Sequence, residues 1–596
     1  MDFKKAFDSV CREALFLKLA KLGIRGKLFD TLNHMYANST AQIKLSGHLS
    51  NKFPVRKGTE QGHPLSPDLF KIYIKDLSPK LDFENCPKLL NTLVSHLLWA
   101  DDLIILALDP VTLQKQLNEL HDFCKEWGIE INADKTKLIK FNSKYDSTSS
   151  ARFKIGNHTL EEVESYCYLG MDIHKSGSFA PARATLKNKA MRALYSLKGT
   201  VNKSKLSFRS LTTLFDSLIK PIVLYGAPIF TPDLHVIKHI TKFAKDCANI
   251  SHTELLRKLS YLDCEKTHLH FLKWALGVNR KASNIGVWGE SGRYPLIYEC
   301  LNLTIKYVRR LKNLQNNSLV SLAFKEQEKM GLDWYRGIEP VISIDQTFEM
   351  DHVTAYNHMK NKITTTSRIH QLTAKHDFIF HKGLKRIIPQ QSIIEPNHCK
   401  HFSPFVILKK LKQNFRTSWQ AGLNSSNKLD TYCIMKNEFS KEPYLDIVKT
   451  YTDRVSLTRL RISAHNLEIE IGRRNNTPRT DRICKWCNLS LGAKNIENEF
   501  HLINDCDLYA KLRRNLLNKL TTSTTQAATH DILSFIIINS KQDLTSTSDP
   551  KYIHQCHQLR LIARYVNRCF TSRQNFSKTC ATLMHYPTTN HNATNH

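Results

Sequence analysis

Two adjacent carboxylates interrupt an apolar stretch, and this stretch constrains the fold more than any other part of the chain. The residues 97–100 before Asp101 and Asp102, and 103–106 after them, are almost all apolar. Short apolar runs bounded in this way predict two buried strands, joined as a hairpin with both carboxylates at its tip. Two charges there are costly unless a cation such as Mg²⁺ meets them, although a solvated turn is the alternative because Asp is common in turns.

Two other motifs accompany this pair in a fixed order. The chain begins Met-Asp-Phe-Lys-Lys-Ala-Phe-Asp, and a loop at 58–67 contains Gln-Gly-His-Pro-Leu-Ser-Pro. The ordered set Asp-x-x-x-Ala-Phe-Asp, Gln-Gly-x-Pro-Leu-Ser-Pro and Ala-Asp-Asp resembles the reverse transcriptases of non-LTR (LINE-type) retrotransposons. The resemblance implies a right-hand polymerase palm and RNA-directed DNA polymerase activity, with DNA synthesis primed from a nicked target.

Metal ligands follow from this chemistry. DNA synthesis is an in-line displacement at phosphorus, in which two metal ions about 3.5–4 Å apart stabilise the attacking and leaving oxygens. Carboxylates on two strands that meet must hold these ions, so we predict that Asp2 and Asp101 bind Mg²⁺. The resemblance adds Asp102 as a supporting or shared ligand. For Asp8 we predict a helix N-cap or a solvated turn.

The resemblance also implies residues that contact substrate. Phe7 would be the steric gate that excludes a ribose 2′-hydroxyl, and Gln61 and Gly62 would pack on the template–nucleotide pair. Lys135 resembles the family's motif lysine, which could protonate or neutralise the leaving pyrophosphate. Each has an ordinary alternative: Phe7 fits a hydrophobic core, and Lys135 fits a solvated surface.

The sequence departs from the family pattern near these motifs. Trp99 replaces the Tyr that more often precedes Ala-Asp-Asp, Glu60 places an acid beside the motif glutamine, and His63 stands where Cys is common. None of these changes removes a predicted metal ligand. Only Met1 precedes Asp2, so we expect the fingers subdomain to be missing, Asp2 to be poorly held and polymerisation by the chain as written to be weak.

We predict an α+β fold, with an antiparallel palm sheet and helices followed by mainly helical regions. The predicted domains are a palm at 1–145, a primer-grip turn and helical thumb at 151–235, a mainly helical connection of unassigned role at 236–470, a CCHC-type zinc knuckle at 471–520, and a low-complexity and helical tail at 521–596.

A second metal site is predicted near the C-terminus. Cys484, Cys487, His501 and Cys506 form the pattern C-x₂-C-x₁₃-H-x₄-C, and three thiolates with one imidazole complete a tetrahedral Zn²⁺ site. Basic residues and Trp486 around the cluster suit single-stranded nucleic acid, if the tryptophan is exposed. A purely structural zinc, and a chance arrangement of these residues, are the alternatives.

Charge indicates the partners. The chain has 86 Lys and Arg against 54 Asp and Glu, giving +32, which favours a polyanion. The predicted partners are an RNA template, a DNA primer or target, and deoxynucleoside triphosphates, with no membrane partner. The 15 cysteines are mostly scattered singly, which favours a nuclear or cytoplasmic ribonucleoprotein over a secreted protein. The alternatives are a non-catalytic nucleic-acid-binding remnant and a group II intron maturase-like enzyme, against which the cysteine cluster argues.

Overall fold

The computed structural model describes residues 1–141, 152–230, 240, 251–314, 318–331, 333–342, 403–521, 532 and 550–584. These residues form two compact units. The first consists of Met1–Ala182 with Leu314–Met330, and the second of Arg183–Asn313 with Gly331–His596. Parts of the predicted connection (343–402) and of the predicted tail (522–531, 533–549 and 585–596) lie outside the described residues.

The first unit combines short strands with helices. Its strands are β1 (Phe3–Lys4), β2 (Thr40–Ala41), β3 (Lys44–Leu45), β4 (His48–Leu49), β5 (Phe53–Pro54), β6 (Lys88–Leu89), β7 (Thr92–Leu93), β8 (His96–Trp99), β9 (Asp102–Ile105), β10 (Glu130–Ile131), β11 (Lys137–Leu138), β12 (Lys154–Ile155), β13 (His158–Thr159), β14 (Glu161–Glu162), β15 (Ser165–Tyr168) and β16 (Met171–His174). Its first helices are α1 (Ala6–Ser9), α2 (Arg12–Lys21), α3 (Lys27–Ala37), α4 (Ser66–Ile74), α5 (Leu77–Lys80) and α6 (Pro110–Trp127).

Backbone pairing links four of these strands around the N-terminal segment. β8 and β9 form an antiparallel hairpin, and β1 pairs antiparallel with β10. Asp2, just before β1, makes an antiparallel bridge to Asp102, the first residue of β9. The strand order is therefore β8, β9, the Asp2–β1 segment and β10, and these hairpins and helices agree with the predicted α+β class.

The hairpin differs from its prediction in two respects. Trp99 pairs with Asp102, so the tip is Ala100 and Asp101, and the prediction that Asp102 lies at the tip is wrong by one residue. Ala100 supplies the left-handed backbone of the turn, with φ 55°. The strands are also less buried than predicted: Leu103 is fully buried, but Trp99 is 66% exposed. One face of an antiparallel hairpin commonly remains in solvent, which explains this difference.

A hydrophobic core lies under the hairpin. Leu103 of β9 belongs to it, together with Phe70 and Tyr73 of α4 and Leu120 and Phe123 of α6, all of which are fully buried. Burying a side chain of this size contributes about 1.5–3 kcal/mol. α6 begins at an Asp109 cap that accepts a hydrogen bond from the Thr112 backbone N–H. The core thus fixes the hairpin against two helices.

Arg12 ties three segments together beside this core. Its Nε donates to the carbonyl of Gly58 at 2.8 Å. Its Nη1 donates to the carbonyls of Tyr36 and Val55, both at 2.6 Å, and to Ser39 Oγ at 2.8 Å. A charged donor with several acceptors is a strong interaction, so the start of the 58–67 loop is anchored to α2.

The second unit is helical in the residues described. In chain order the helices are α7 (Ala180–Thr200, within which the two units divide), α8 (Phe208–Leu214), α9 (Lys220–Val223), α10 (His252–Tyr261), α11 (Asp263–Ala275), α12 (Asn284–Ser291), α13 (Ile297–Lys312), α14 (Leu319–Met330, part of the first unit), α15 (Asp333–Ile342), α16 (Pro404–Asn424), α17 (Asp430–Met435), α18 (Tyr444–Ile447), α19 (Tyr451–Arg461), α20 (Glu468–Arg474), α21 (Lys485–Leu491), α22 (Ala510–Thr521) and α23 (Pro550–Met584). Short 3₁₀ or π segments are Lys203–Lys205, Phe215–Ile219, Arg479–Asp481, His501–Asp505 and Asp507–Tyr509. None of the described helices is long and apolar enough to cross a membrane.

A buried ion network fixes α19 within this unit. Arg461, at the end of α19, donates from Nε to Glu290 at 3.0 Å and pairs through Nη2 with Glu442 at 2.8 Å. Lys436 and Tyr444 contact the same two carboxylates, and all five side chains are buried. Removing one member of such a pair typically costs about 3–5 kcal/mol because the other charge stays buried. The network therefore specifies how α19 packs.

Two glycines of the 58–67 loop allow a matched test of its packing. Gly58 and Gly62 have nearly equal φ values of +87° and +88°, but a Cβ on Gly58 would lie 2.8 Å from the Asp8 backbone, whereas one on Gly62 meets nothing within 4 Å. We expect Gly58→Ala to destabilise the first unit by about 1–3 kcal/mol more than Gly62→Ala, because only the former forces backbone apart. Urea unfolding followed by hydrogen exchange of first-unit peptides measures this difference, and equal losses would contradict it.

Candidate active site

Asp2 is held by hydrogen bonds on both sides of its strand. The Met1 carbonyl accepts from Leu103 N at 3.2 Å, and the Asp2 carbonyl accepts from Asn132 N at 2.9 Å. With the bridge to Asp102, these bonds place Asp2 between β9 and β10. The expectation that Asp2 is poorly held is therefore wrong, because neighbouring strands satisfy its backbone groups.

Three carboxylates thus come from neighbouring elements: Asp2 beside β1, Asp102 at the start of β9 and Asp101 at the hairpin tip. The pKa of Asp102 is raised, first because burial disfavours its charged form and then because Asp101 and Asp2 repel that charge. A divalent cation would relieve this repulsion, so the donor set fits the predicted metal. The predicted ligands Asp2 and Asp102 are brought together, and Asp101 follows from the turn.

Lys135 lies at the same site. A turn at 132–136, in which the Thr136 N–H donates to the Asn132 carbonyl at 3.0 Å, presents this lysine. Its Nζ is 3.1 Å from Asp2 Oδ2, although 68% of its side chain is exposed. A pair this exposed adds little stability. The contact places Lys135 beside Asp2, and its role at the site stays a prediction.

Phe7 packs between the core and the 58–67 loop. Its ring centroid lies 5.2 Å from that of Phe70, and its carbonyl accepts from Thr59 N at 2.8 Å. The Phe7 ring is half-buried: one side packs on the core, as the core interpretation predicts, and the rest is accessible. Its role as a steric gate stays a prediction.

The loop itself lies against α1. Gln61 Nε2 donates to Asp8 Oδ1 at 3.0 Å, and Gly62 has φ +88° with open space where a Cβ would be. Asp8 lies inside α1, and Lys5 occupies the N-cap position, so the N-cap prediction for Asp8 is wrong. The open space at Gly62 is compatible with close approach of a ligand, but the substrate roles of Gln61 and Gly62 stay predictions.

Two tyrosines near the carboxylates were not predicted as site residues. Tyr166 and Tyr168 alternate along β15, whose hairpin with β16 turns at Leu169 and Gly170, with φ 47° and 79°. Burial raises the pKa of both phenols, and the negative charge of Asp102 raises it further. They therefore face the same electrostatic environment as Asp102. Their period-2 spacing on one strand was the available signal.

The four predicted zinc ligands also converge. Cys484 precedes α21, Cys487 lies within it, His501 begins a π segment and Cys506 follows that segment. Their ligand atoms all lie within 4.8 Å of one another, and all four residues are buried. No other group of at least three Cys, His, Asp or Glu in the described ranges is gathered in this way. The three palm carboxylates are more widely spread.

The distances within the cluster match a tetrahedral zinc site. Sulfurs at 2.3 Å from a tetrahedral centre are about 3.8 Å apart, and such a sulfur and a nitrogen at 2.0–2.1 Å are about 3.6 Å apart. Cys484 and Cys506 Sγ are 3.9 Å apart, Cys487 and Cys506 Sγ are 3.7 Å apart, and Cys487 Sγ is 3.5 Å from His501 Nε2. Hydrogen bonds from Cys506 and His501 lower the pKa of the Cys484 thiol, whereas burial raises the pKa of Cys487 and the hydrogen bond with Cys484 raises that of Cys506. A bound cation would be needed to hold all three as thiolates.

The surroundings of this cluster differ from the prediction. Trp486 is half-buried, and its ring packs edge-on against Phe576 of α23 at 5.0 Å, so it is not an exposed stacking platform. Arg482 donates to the backbone carbonyls of Thr477 and Ile469. Lys485 pairs with Glu468 at 3.1 Å. Arg482 thus ties the segment before α21 to α20 through backbone carbonyls, whereas the Lys485–Glu468 pair is largely exposed on the lysine side and adds little stability.

Comparison with known proteins gives a consistent result for the first unit. Residues 1–173 match the family described as Reverse transcriptase (RNA-dependent DNA polymerase). The chain is 29% identical over 184 residues to the Retrovirus-related Pol polyprotein from type-2 retrotransposable element R2DM of Drosophila melanogaster, covering 30% of this chain and 17% of that protein. It is 24% identical to the Probable RNA-directed DNA polymerase from transposon BS of the same species, over 39% of this chain and 26% of that protein. It is 20% identical to the RNA-directed DNA polymerase from mobile element jockey of Drosophila melanogaster, over 39% of this chain and 25% of that protein.

The Lys135–Asp2 contact predicts competition with a divalent cation. Because Lys135 Nζ lies 3.1 Å from Asp2 Oδ2, Mn²⁺ bound by that oxygen must displace it. We expect Lys135→Ala to tighten Mn²⁺ binding by about 1.4- to 5-fold, the range that corresponds to an exposed ion pair worth roughly 0.2–1 kcal/mol. Electron paramagnetic resonance of free Mn²⁺ measures the change. Lys137→Ala, which breaks a pair with Glu161 instead, is the control, and equal changes in both variants would count against the competition.

Proposed function

We propose that this chain catalyses RNA-templated DNA synthesis, because residues 1–173 are a reverse transcriptase domain similar to those of non-LTR retrotransposons. The alignments span only 17–26% of the three relatives compared, so activity is proposed for this chain from its own site. The observation that carries the proposal is the bridge between Asp2 and Asp102, which joins the first and third motifs at one point of the sheet.

In this proposal Asp2, Asp101 and Asp102 hold Mg²⁺. When bound, the ions supply positive charge for the attacking and leaving oxygens of phosphoryl transfer. Burial and the charges of Asp101 and Asp2 raise the pKa of Asp102, and a cation nearby would favour its charged form. Lys135, beside Asp2, is positioned to neutralise or protonate the leaving pyrophosphate.

The substrates follow from the same resemblance: an RNA template, a DNA primer and deoxynucleoside triphosphates. Phe7 supports the proposed sugar site, since its ring is braced from behind by Phe70 and cannot retreat into the filled core. Gln61 is oriented by its hydrogen bond to Asp8, and Gly62 leaves room beside it.

We propose further that Cys484, Cys487, His501 and Cys506 bind one Zn²⁺. The three measured distances fit a closed tetrahedral site, which leaves no position for a catalytic water. Because Trp486 is packed against Phe576 and Lys485 against Glu468, a structural role is favoured over direct contact with nucleic acid. The zinc would fasten α21 to the segment that leads into α22.

Polymerase activity can be separated from nucleic-acid binding by one substitution. We expect Asp101→Asn to lower Mg²⁺-dependent primer extension on an RNA template by about 10²–10³-fold or more, because a group that stabilises developing charge is lost. RNA binding should change little. Asp68→Asn, which removes an exposed carboxylate paired with Lys71, is the matched control. If wild-type protein binds RNA but incorporates no nucleotide, the non-catalytic alternative is correct.

The zinc proposal makes a prediction about metal content. The double variant Cys484→Ser, Cys487→Ser should lose the single zinc ion, because both sulfurs belong to the four-atom cluster. Cys167→Ser, at an exposed cysteine of β15, should keep it. Mass spectrometry of metals in purified protein measures the ratio of zinc to chain. Stoichiometric zinc in the double variant would show that these residues are not the ligands.

A further inference from the structure

Four cations of the second unit lie close together without acidic partners. Lys198 of α7 and Lys273 of α11 are half-buried, Lys203 follows α7, and Arg280 is exposed after α11. Within the part of the chain that the structure describes, none of the four forms a salt bridge with a carboxylate. We call these four residues the basic surface. Burial and the charges of Arg280 and Lys203 lower the pKa of Lys198 to about 8.

Aromatic rings alternate with these cations. Lys198 Nζ lies 5.4 Å from the ring centroid of Tyr195 and 5.7 Å from that of Trp274. Lys203 Nζ lies 5.6 Å from Trp274 and 5.4 Å from Tyr451. Tyr195 is 51% exposed. Cations interleaved with rings are typical of surfaces that bind single-stranded nucleic acid, where phosphates meet the charges and bases meet the rings.

Tyr451 also lines a cavity of about 770 Å³ between α19, α23 and the loop after α11. This volume falls within the range of about 300–1,000 Å³ that is usual for ligand sites. Asn279, next to Arg280 in sequence, and Phe570 of α23 line it as well. No residue in its lining is an Asp or a Glu. The basic surface and the cavity are therefore continuous at Tyr451 and Asn279.

Two arginines of the cavity keep donors available. Arg459 is exposed and uses Nε to donate to the Gly277 carbonyl at 2.9 Å, and among the described residues its Nη atoms have no partner. Arg474 donates from Nε to the backbone carbonyl of Glu470, and from Nη2 to the backbone carbonyl of His465 and to Asn466 Oδ1. Among the described residues, its Nη1 has no partner. The third arginine of the cavity, Arg573, differs because it forms ion pairs with Glu468 and Glu497.

We propose that the basic surface and this cavity bind one single strand of nucleic acid, with phosphates on the basic surface and at Arg459, and one unstacked base inserted in the cavity against Tyr451 and Phe570. The residues of this site belong to the second unit, whereas the three carboxylates belong to the first. The proposal rests on the proposed function only for the identity of the polyanion as nucleic acid. A single strand is favoured over a duplex, because a paired base would first have to be unpaired and unstacked before it could enter the cavity.

Fluorescence anisotropy of a labelled single-stranded RNA tests the charge contacts in the full chain. In Asp101→Asn protein without nucleotides, we expect Arg459→Gln to weaken binding and to lower the magnitude of the salt slope by about 0.7, the value for one phosphate of a single strand. Arg564→Gln, an exposed arginine of α23 outside the cavity lining, is the control and should leave both unchanged. Equal effects of the two substitutions would show that only overall charge matters.

An abasic strand tests base insertion. A strand of the same length with abasic positions keeps its phosphates, so it should bind wild-type protein about 5- to 150-fold more weakly, as expected for one lost stack of roughly 1–3 kcal/mol. Phe570→Ala should reduce the difference in affinity between the two strands, because only the Tyr451 ring then remains against the base. Zinc content and circular dichroism verify that each variant is folded. Tighter binding of duplex than of single strand, or an abasic effect as large in Phe570→Ala as in wild type, would overturn the proposal.

These measurements separate this proposal from the polymerase proposal. Binding is read in a variant whose palm site lacks one carboxylate and without nucleotide substrate, so failure of catalysis does not alter it. Conversely, wild-type protein that extends primers while Arg459→Gln and Phe570→Ala bind single strands normally would refute only the second site.

Discussion

The pairing of the Asp2 segment between β9 and β10 is the interaction on which the first unit depends. Asp2 and Asp102 are 100 positions apart in sequence, so this pairing is what brings them together. The pairing consists of hydrogen bonds between backbone groups, which need partners in any fold, so it does not use the carboxylate side chains. It also places the carboxylates where they repel one another: burial is the first cause of the raised pKa of Asp102, and the charges of Asp101 and Asp2 raise it further. Core side chains such as Phe70 and Leu103 supply the stability that offsets it.

Much of this arrangement could be predicted because it depends on residues that are near one another in sequence. The two apolar runs around Asp101 and Asp102 predict the hairpin, but they predict neither its register nor the exposure of Trp99, because composition does not distinguish the position of a two-residue turn or the face that stays in solvent. The N-cap role of Asp8 failed for a similar reason: the cap depends on the left-handed backbone of Lys5, which no residue preference signals. The contact of Lys135 with Asp2 and the environment of Tyr166 are long-range and needed coordinates.

The cysteine cluster shows the opposite balance. Its ligands were predicted from spacing alone, since three thiolates and an imidazole at these intervals are typical of a zinc site, whereas its surroundings were misjudged. The basic residues near the motif predict a binding surface, but Arg482 donates to backbone carbonyls instead. Cations without carboxylate partners lie beside aromatic rings elsewhere, at Lys198 and Trp274, in segments whose sequence carried no recognised chemistry. A sequence gives the number of charged residues, whereas the packing of the fold decides which of them remain available to a ligand.

Arg12 makes the position of the 58–67 loop depend on a helix that precedes it in the chain. Its guanidinium donates to the carbonyls of Tyr36, Val55 and Gly58, which lie 24, 43 and 46 residues away along the chain. Closing loops of such lengths costs entropy, which these charge-assisted hydrogen bonds help to offset. A substitution at Arg12 would therefore release the segment that leads to Gln61 without changing any residue within it.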